Sequence, residues 1–190
     1  MSESNEAKPG IKKERLIFGL FLLVLIVAIE LVLHQFHLSG WPVFLVMIFF
    51  FEMHMDKSRA HHIIIGGLVG IAAYLGTVQF VGLTGDALGA TNATILFICM
   101  VVYCIVAFGE ILPQVFNNYA FMYYLVAGTA ATAGNPTPLI WAGQVVIGGA
   151  VVIGGILTIA TIMAKITKEA DANASNETVA QNAQPSQGEA

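Results

Sequence analysis

Three carboxylates, Glu30, Glu52 and Glu110, stand inside or at the edge of long apolar stretches of this 190-residue chain. A charged side chain within a bilayer costs roughly 2.5–3.5 kcal/mol on insertion scales, so each is a candidate for coupling protons or cations. The plainer role for each is to reach the interface or to cap a neighbouring helix. Glu30, His34 and His37 fall at i, i+4 and i+7, one stripe of a helix. Two imidazoles and a carboxylate can hold a divalent metal or relay protons, because imidazole titrates near neutral pH. Ser39 and Gly40 follow at once, so a helix ending before His37 would break the stripe. Glu52, His54 and Asp56, then Lys57, Arg59, His61 and His62, form a dense polar cluster that reads as a turn. Its spacing fits no metal motif, and neither a metal nor another cofactor is assigned. Glu52 and His54, just inside the apolar boundary, could serve a vestibule or a proton entry point.

A different chemistry is offered by Ala127–Gly134, eight consecutive small residues that include Thr129 and Thr132 and lead into Asn135, Pro136 and Pro138. Small residues let helices approach closely, and Thr hydroxyls bond across helices or back to their own carbonyls. The prolines cannot continue a helix, so an unwound stretch here would present backbone groups and Asn135 to a solute. Tight packing alone is the simpler alternative. Gly66, Gly67 and Gly70, and later Gly148 and Gly149, form small faces that predict helix crossings at short distance. Cys99 and Cys104 lie on different faces of one apolar stretch and read as packing residues. No nucleotide loop, nucleophile elbow, zinc motif or redox cysteine pair occurs, which argues against an enzyme.

These residues must be positioned by apolar elements. The chain is 57% hydrophobic and 11% charged, which excludes an ordinary soluble domain and gives no basic face for nucleic acid. Six apolar stretches are predicted as helices of an all-α polytopic membrane protein: Leu16–Leu33, Trp41–Met55, Ile63–Leu83, Ala93–Leu112, Tyr119–Gly134 and Leu139–Ala164. About 18 apolar residues cross a hydrocarbon core, so the second and fifth stretches are short and would be thin, broken or re-entrant. The loops Gln35–Gly40, Thr84–Asn92 and Asn135–Thr137 carry no Lys or Arg. All eight basic residues lie at Lys8–Arg15, at Lys57 and Arg59, and at Lys165 and Lys168. Six crossings with both termini in the cytoplasm put every one of them inside, as the positive-inside bias requires. Residues 1–15 and 166–190 are polar and are expected to be disordered cytoplasmic segments flanking a transmembrane domain over 16–165.

The six stretches read as one three-segment pattern written twice. A shift of about 82 residues, the separation of Ile65 and Ile147, lays Ile65-Gly66-Gly67 on Ile147-Gly148-Gly149 and short stretch on short stretch. Three crossings per copy would insert the copies upside down relative to each other, the 3+3 inverted plan of many secondary transporters. Glu110 then falls on Ala28, close to Glu30, at the opposite side of the membrane.

The stretch Gly40-Trp-Pro-Val-Phe44 through Phe49-Phe-Phe51, with a polar turn and a Gly-rich helix after it, resembles the YcdZ-like family of small bacterial inner-membrane proteins (domain of unknown function 1097). Tyr124–Ala133, a short turn and Val146-Ile-Gly-Gly149 resemble that family's closing pattern. The resemblance spans roughly residues 15 to 165 and implies a bacterial inner-membrane location; it carries no settled activity. The Glu52–His62 cluster and the long polar C-terminal tail depart from it.

The resulting expectation is a small-solute transporter or channel, joined through its Gly faces as a homo-oligomer in the lipid bilayer. Its pathway would run between the halves, with Thr129, Thr132 and Asn135 as contacts and Glu30, Glu52 or Glu110 as coupling groups. The competing class is an accessory, assembly or sensor subunit that packs against a membrane partner.

Overall fold

The computed structural model describes residues 13–134 and 136–182, and every regular element among them is helical. Helix α1 (Lys13–Gln35) runs 23 residues without a breaker. It stops where His37 turns left-handed at φ 53°, letting the Leu38 amide donate to the Leu33 carbonyl at 2.9 Å. Helix α2 (Trp41–Glu52) is 12 residues, about 18 Å at 1.5 Å per residue. Pro42 opens it, where a missing N–H is cheap, and left-handed His54 and Met55 close it, with the Met55 amide on the Phe50 carbonyl at 3.0 Å. A single 3₁₀ turn, Lys57–Arg59, is capped by Asp56, whose carboxylate accepts from the Ser58 amide at 2.9 Å.

Helix α3 (Ala60–Leu88, 29 residues) and helix α4 (Ala90–Phe108, 19 residues) are separated by Gly89 alone. Gly89 has φ 81°, which a side chain would strain, so one residue makes the whole turn. The expected outer loop Thr84–Asn92 is therefore helical except at that residue. Thr84 assists by donating its hydroxyl back to the Phe80 carbonyl at 2.7 Å, so its polarity does not break the helix.

Helix α5 (Asn118–Ala133, 16 residues) starts at Asn117, whose side-chain oxygen accepts from the Ala120 amide at 2.9 Å. The Asn117 amide also donates to the Pro113 and Gln114 carbonyls, at 3.0 and 3.1 Å. The last rod begins at Pro138 as α6 (Pro138–Gly143), widens into a π turn at Gln144–Gly148 and continues as α7 (Gly149–Asn182). The tail expected to be disordered from residue 166 is helical to Asn182. Propagating a formed helix is far easier than nucleating one, and Ala170, Ala172, Ala174 and Ala180 favour it. The expectations for residues 1–12 and 183–190 lie outside the described residues.

Among the described residues, four stretches are long and apolar enough to cross a membrane: Arg15–Gln35, Lys57–Leu88, Ala90–Phe108 and Pro138–Glu169. Helix α2 is apolar but shorter.

The chain forms two compact units. One comprises Met1–Ile29 with Gly155–Ala190. Within it Gly155 lies against Leu25, whose Cδ1 would be 2.8 Å from an added Cβ, while Leu16, Leu20, Leu23 and Val24 face outward from α1. Such outward apolar side chains suit lipid rather than water. The other unit, Glu30–Gly154, is built on glycine contacts. Gly66 and Gly70 of α3 receive α5: a Cβ on Gly70 would meet the Ala120 carbonyl and lie 2.6 Å from the Tyr123 Cβ. Gly148 receives Val43 of α2, and Gly149 receives Val46 and Ile64. Gly67 sits against Val145 and Tyr123. The glycine faces of the third and last rods therefore do meet, at Gly67–Val145 and Ile64–Gly149. Gly66, Gly70 and Gly148 serve instead to seat the two short helices.

Candidate functional site

The residues singled out for chemistry do not gather. Glu30 is exposed, and its carboxylate lies against Gly40, 3.2 Å from where a Cβ would stand. Glu52 is exposed at the end of α2 and hydrogen-bonds the Tyr119 side chain at the start of α5. Glu110 is exposed in the turn after α4. The three carboxylates thus stand apart: Glu30 within α1 beside Gly40, Glu52 at the end of α2 and Glu110 in the turn after α4.

The histidine stripe is also broken. His34 is exposed on α1, while His37 lies past the helix end with a left-handed backbone that turns it off the stripe. His54 is likewise a left-handed, exposed helix-stop residue. Among the described residues, no three His, Cys, Asp or Glu side chains come together as a metal could require. Outside the spans, Ser58 holds the Asp56 carboxyl below the usual carboxylate range, first through its hydroxyl at 2.8 Å and then through its amide.

The Ala127–Gly134 stretch is not unwound: it is helical through Ala133. The Thr129 hydroxyl donates to the Leu125 carbonyl at 2.9 Å and the Thr132 hydroxyl to the Thr129 carbonyl at 2.7 Å. Both side chains are exposed, with their hydroxyls bonded back onto their own helix. Asn135 lies outside the described residues.

What does converge is a set that the sequence reading passed over. Tyr123, fully buried on α5, donates its hydroxyl to the Pro42 carbonyl of α2 at 2.7 Å. Gln144, 7% exposed at the head of the π turn, donates its amide to the Ser39 carbonyl at 2.7 Å. Trp41 packs edge-on against Trp141 with centroids 5.3 Å apart, and tilted against Tyr123 at 6.0 Å. Tyr74 of α3 closes on Trp141 at 6.0 Å. The result is a buried seam of aromatic rings and neutral polar groups drawn from α2, α3, α5 and α6. Two polar atoms in it, Trp41 Nε1 and Gln144 Oε1, are buried without a hydrogen-bond partner. One cue was available beforehand: Gln144 is an amide inside an apolar run, and a polar group at that depth is a functional candidate in its own right.

Nearby polar pairs serve packing. Tyr124 and Thr77 share a hydrogen bond of 3.0 Å between α5 and α3. A separate apolar groove of 190 Å³ opens between α3, α4 and α5, lined by Val69, Ala73, Met100, Cys104 and Phe116 among others. In comparisons with known proteins, the chain matches no family model, no curated protein and no solved structure.

Proposed function

We propose that this chain is a membrane-embedded carrier or channel for a small solute, built from two inverted three-segment halves that cross at the buried seam. The supporting observation is how equivalent residues meet. Under the 82-residue shift Trp41 and Tyr123 are counterparts, and their rings are in contact. Gly67 against Val145 has its counterpart in Gly149 against Ile64, within one residue of the same shift. Each half also packs its Gly-rich helix along the short helix of the other: Gly66 and Gly70 on α5, Gly148 and Gly149 on α2. A two-fold axis in the membrane plane brings counterparts together in this manner, and transporter sites lie at such repeat interfaces.

In this reading six crossings leave the N-terminus, the Lys57–Arg59 turn and Lys165 in the cytoplasm of a bacterial cell. Helix α2, about 18 Å long, falls short of a ~30 Å core. With Glu52 at the inner interface, its outer end and Trp41 then lie below the outer surface. Glu52 and Glu110 stand at helix ends away from the seam, whereas Glu30, within α1, has its carboxylate beside Gly40 and so next to Trp41, and is the carboxylate placed to couple. The 190 Å³ apolar groove favours a second reading, an accessory subunit that seats a partner's helix there.

Reconstitution separates the two readings. Vesicles containing the purified chain should shrink and reswell faster than protein-free vesicles when challenged with small neutral solutes in a stopped-flow instrument. Identical rates with correctly inserted protein would refute the carrier reading and favour the accessory one.

A further inference from the structure

The groove between α3, α4 and α5 lies apart from the seam and needs an occupant of its own. Its 190 Å³ is walled by Val69, Ala73, Met100, Cys104, Ile105 and Phe116, without a charge or a hydroxyl. Met100, 47% exposed, places it on the outer surface of this unit, where the bilayer reaches it. An apolar space of about 150 Å³ stays dry and takes up a small apolar molecule, so this one suits a slender hydrocarbon chain. Val69 and Ala73 stand about 14 and 20 Å along α3 from Ala60, and Met100 and Cys104 about 12 and 6 Å before the end of α4 at Phe108. In the six-crossing reading both of those helix ends are cytoplasmic. The groove then lies at the depth of the inner leaflet's chains, half of a ~30 Å core.

The cytoplasmic end of the groove carries charge of both signs. Phe116 is followed by Asn117, whose amide is 3.5 Å from the His62 carbonyl, and the Arg59 charge acts on His62 and on Tyr119. On the other side, a Cβ added at Gly109 would stand 3.2 Å from the Phe116 carbonyl oxygen, and Glu110 is the next residue. Asp56 is bonded to Ser58 and Glu52 to Tyr119, whereas Lys57, Arg59 and Glu110 are exposed. With Glu52, Asp56 and Glu110 set against Lys57 and Arg59, this end has no cationic excess to draw a net-anionic headgroup.

We propose that the groove holds one acyl chain of an inner-leaflet phospholipid with a primary ammonium headgroup, its phosphate beside Arg59 and its ammonium beside Glu110. A phosphate accepts from a guanidinium, and a primary ammonium donates to a carboxylate, which a trimethylated one cannot do. The lipid occupies this place whether or not the seam passes a solute, and it competes there with a partner's helix.

The test uses the full chain, purified in mild detergent, stripped of lipid and titrated with phospholipids under native mass spectrometry. One phosphatidylethanolamine should bind per chain, about 2- to 5-fold more tightly than phosphatidylcholine or phosphatidylglycerol with the same chains. Ala73→Phe, which fills the groove from α3, should weaken binding about 10-fold. Cys104→Phe fills it from α4, guards against a misfolded first variant and should behave alike. Arg59→Gln should weaken all three lipids about 2- to 5-fold, while Glu110→Gln should erase only the preference for ethanolamine over choline.

Unchanged binding in both groove-filled variants would overturn the site. Phosphatidylglycerol bound as tightly as phosphatidylethanolamine would overturn the headgroup class. A chain that binds no lipid but pairs with another helix, read by cross-linking at Cys104 in a Cys99→Ser background, would overturn the lipid as occupant.

Discussion

His37 and His54 do their observed work through the backbone. Each is a non-glycine residue held left-handed just past a helix, at φ 53° and 54°, where an L side chain costs roughly 1–2 kcal/mol. Glycine gives back part of that through its greater freedom when unfolded, so His37→Gly and His54→Gly should each stabilise the protein by about 0.5–1 kcal/mol. Thermal unfolding in detergent, followed by circular dichroism, reads this directly. A clear loss of stability would mean that the imidazoles make contacts that matter more than the turn. Asp56 gives a second residue-scale prediction. Its depressed pKa comes first from the Ser58 hydroxyl, so the stabilisation exists above the unfolded pKa and fades as pH falls through the folded one. Ser58→Ala should raise the Asp56 titration towards the ordinary carboxylate range in a carboxyl NMR titration, and an unmoved midpoint would assign the shift elsewhere. Neither role was readable beforehand. Imidazoles at i and i+3 after a glutamate suggest ligands, and nothing in residue type announces that a histidine will take the αL position usually given to glycine.

The short helices depend on glycine, and not all glycines are equal. Gly70 faces backbone: an added Cβ would crowd the Ala120 carbonyl and come within 2.8 Å of the Tyr124 nitrogen. No rotamer change relieves that, so Gly70→Val should push α3 from α5, cost about 1–3 kcal/mol or more, and lower the unfolding temperature. Gly128 and Gly143 have nothing within 4 Å, and alanine at either should be neutral or slightly stabilising. Equal effects at Gly70 and Gly128 in the same thermal assay would contradict the packing described. At this scale the sequence was largely readable, because the long apolar runs between polar or proline-bearing breaks coincide with the observed rods. It failed where one residue did the work of a loop, as at Gly89, and where a helix already formed carried on through a polar tail beyond Lys165. It failed again at Thr129 and Thr132, whose hydroxyls bond to their own helix instead of opening it.

For the molecule as a whole, the glycines of the third and last rods lie at close helix contacts, as their spacing predicts, while the polar residues that converge are not the ones singled out for chemistry. Charged side chains drew attention because their burial is expensive, whereas the seam is built from Trp41, Tyr123 and Gln144, neutral groups that a bilayer tolerates more readily. Their convergence depends on contacts 81 and 105 residues apart in the chain, Tyr123 to Pro42 and Gln144 to Ser39, which no local pattern encodes. Solute passage requires the seam to open, and Val145, fully buried against Gly67, reports on that opening. The decisive measurement is thiol labelling of Val145→Cys, with Cys99 and Cys104 replaced by serine, by a membrane-impermeant reagent applied to each side of oriented vesicles. If the halves part to carry a solute, the introduced thiol reacts from both faces. If it stays silent from both faces while an Asp86→Cys control labels normally, the seam is a static, dry core and the chain is not a carrier.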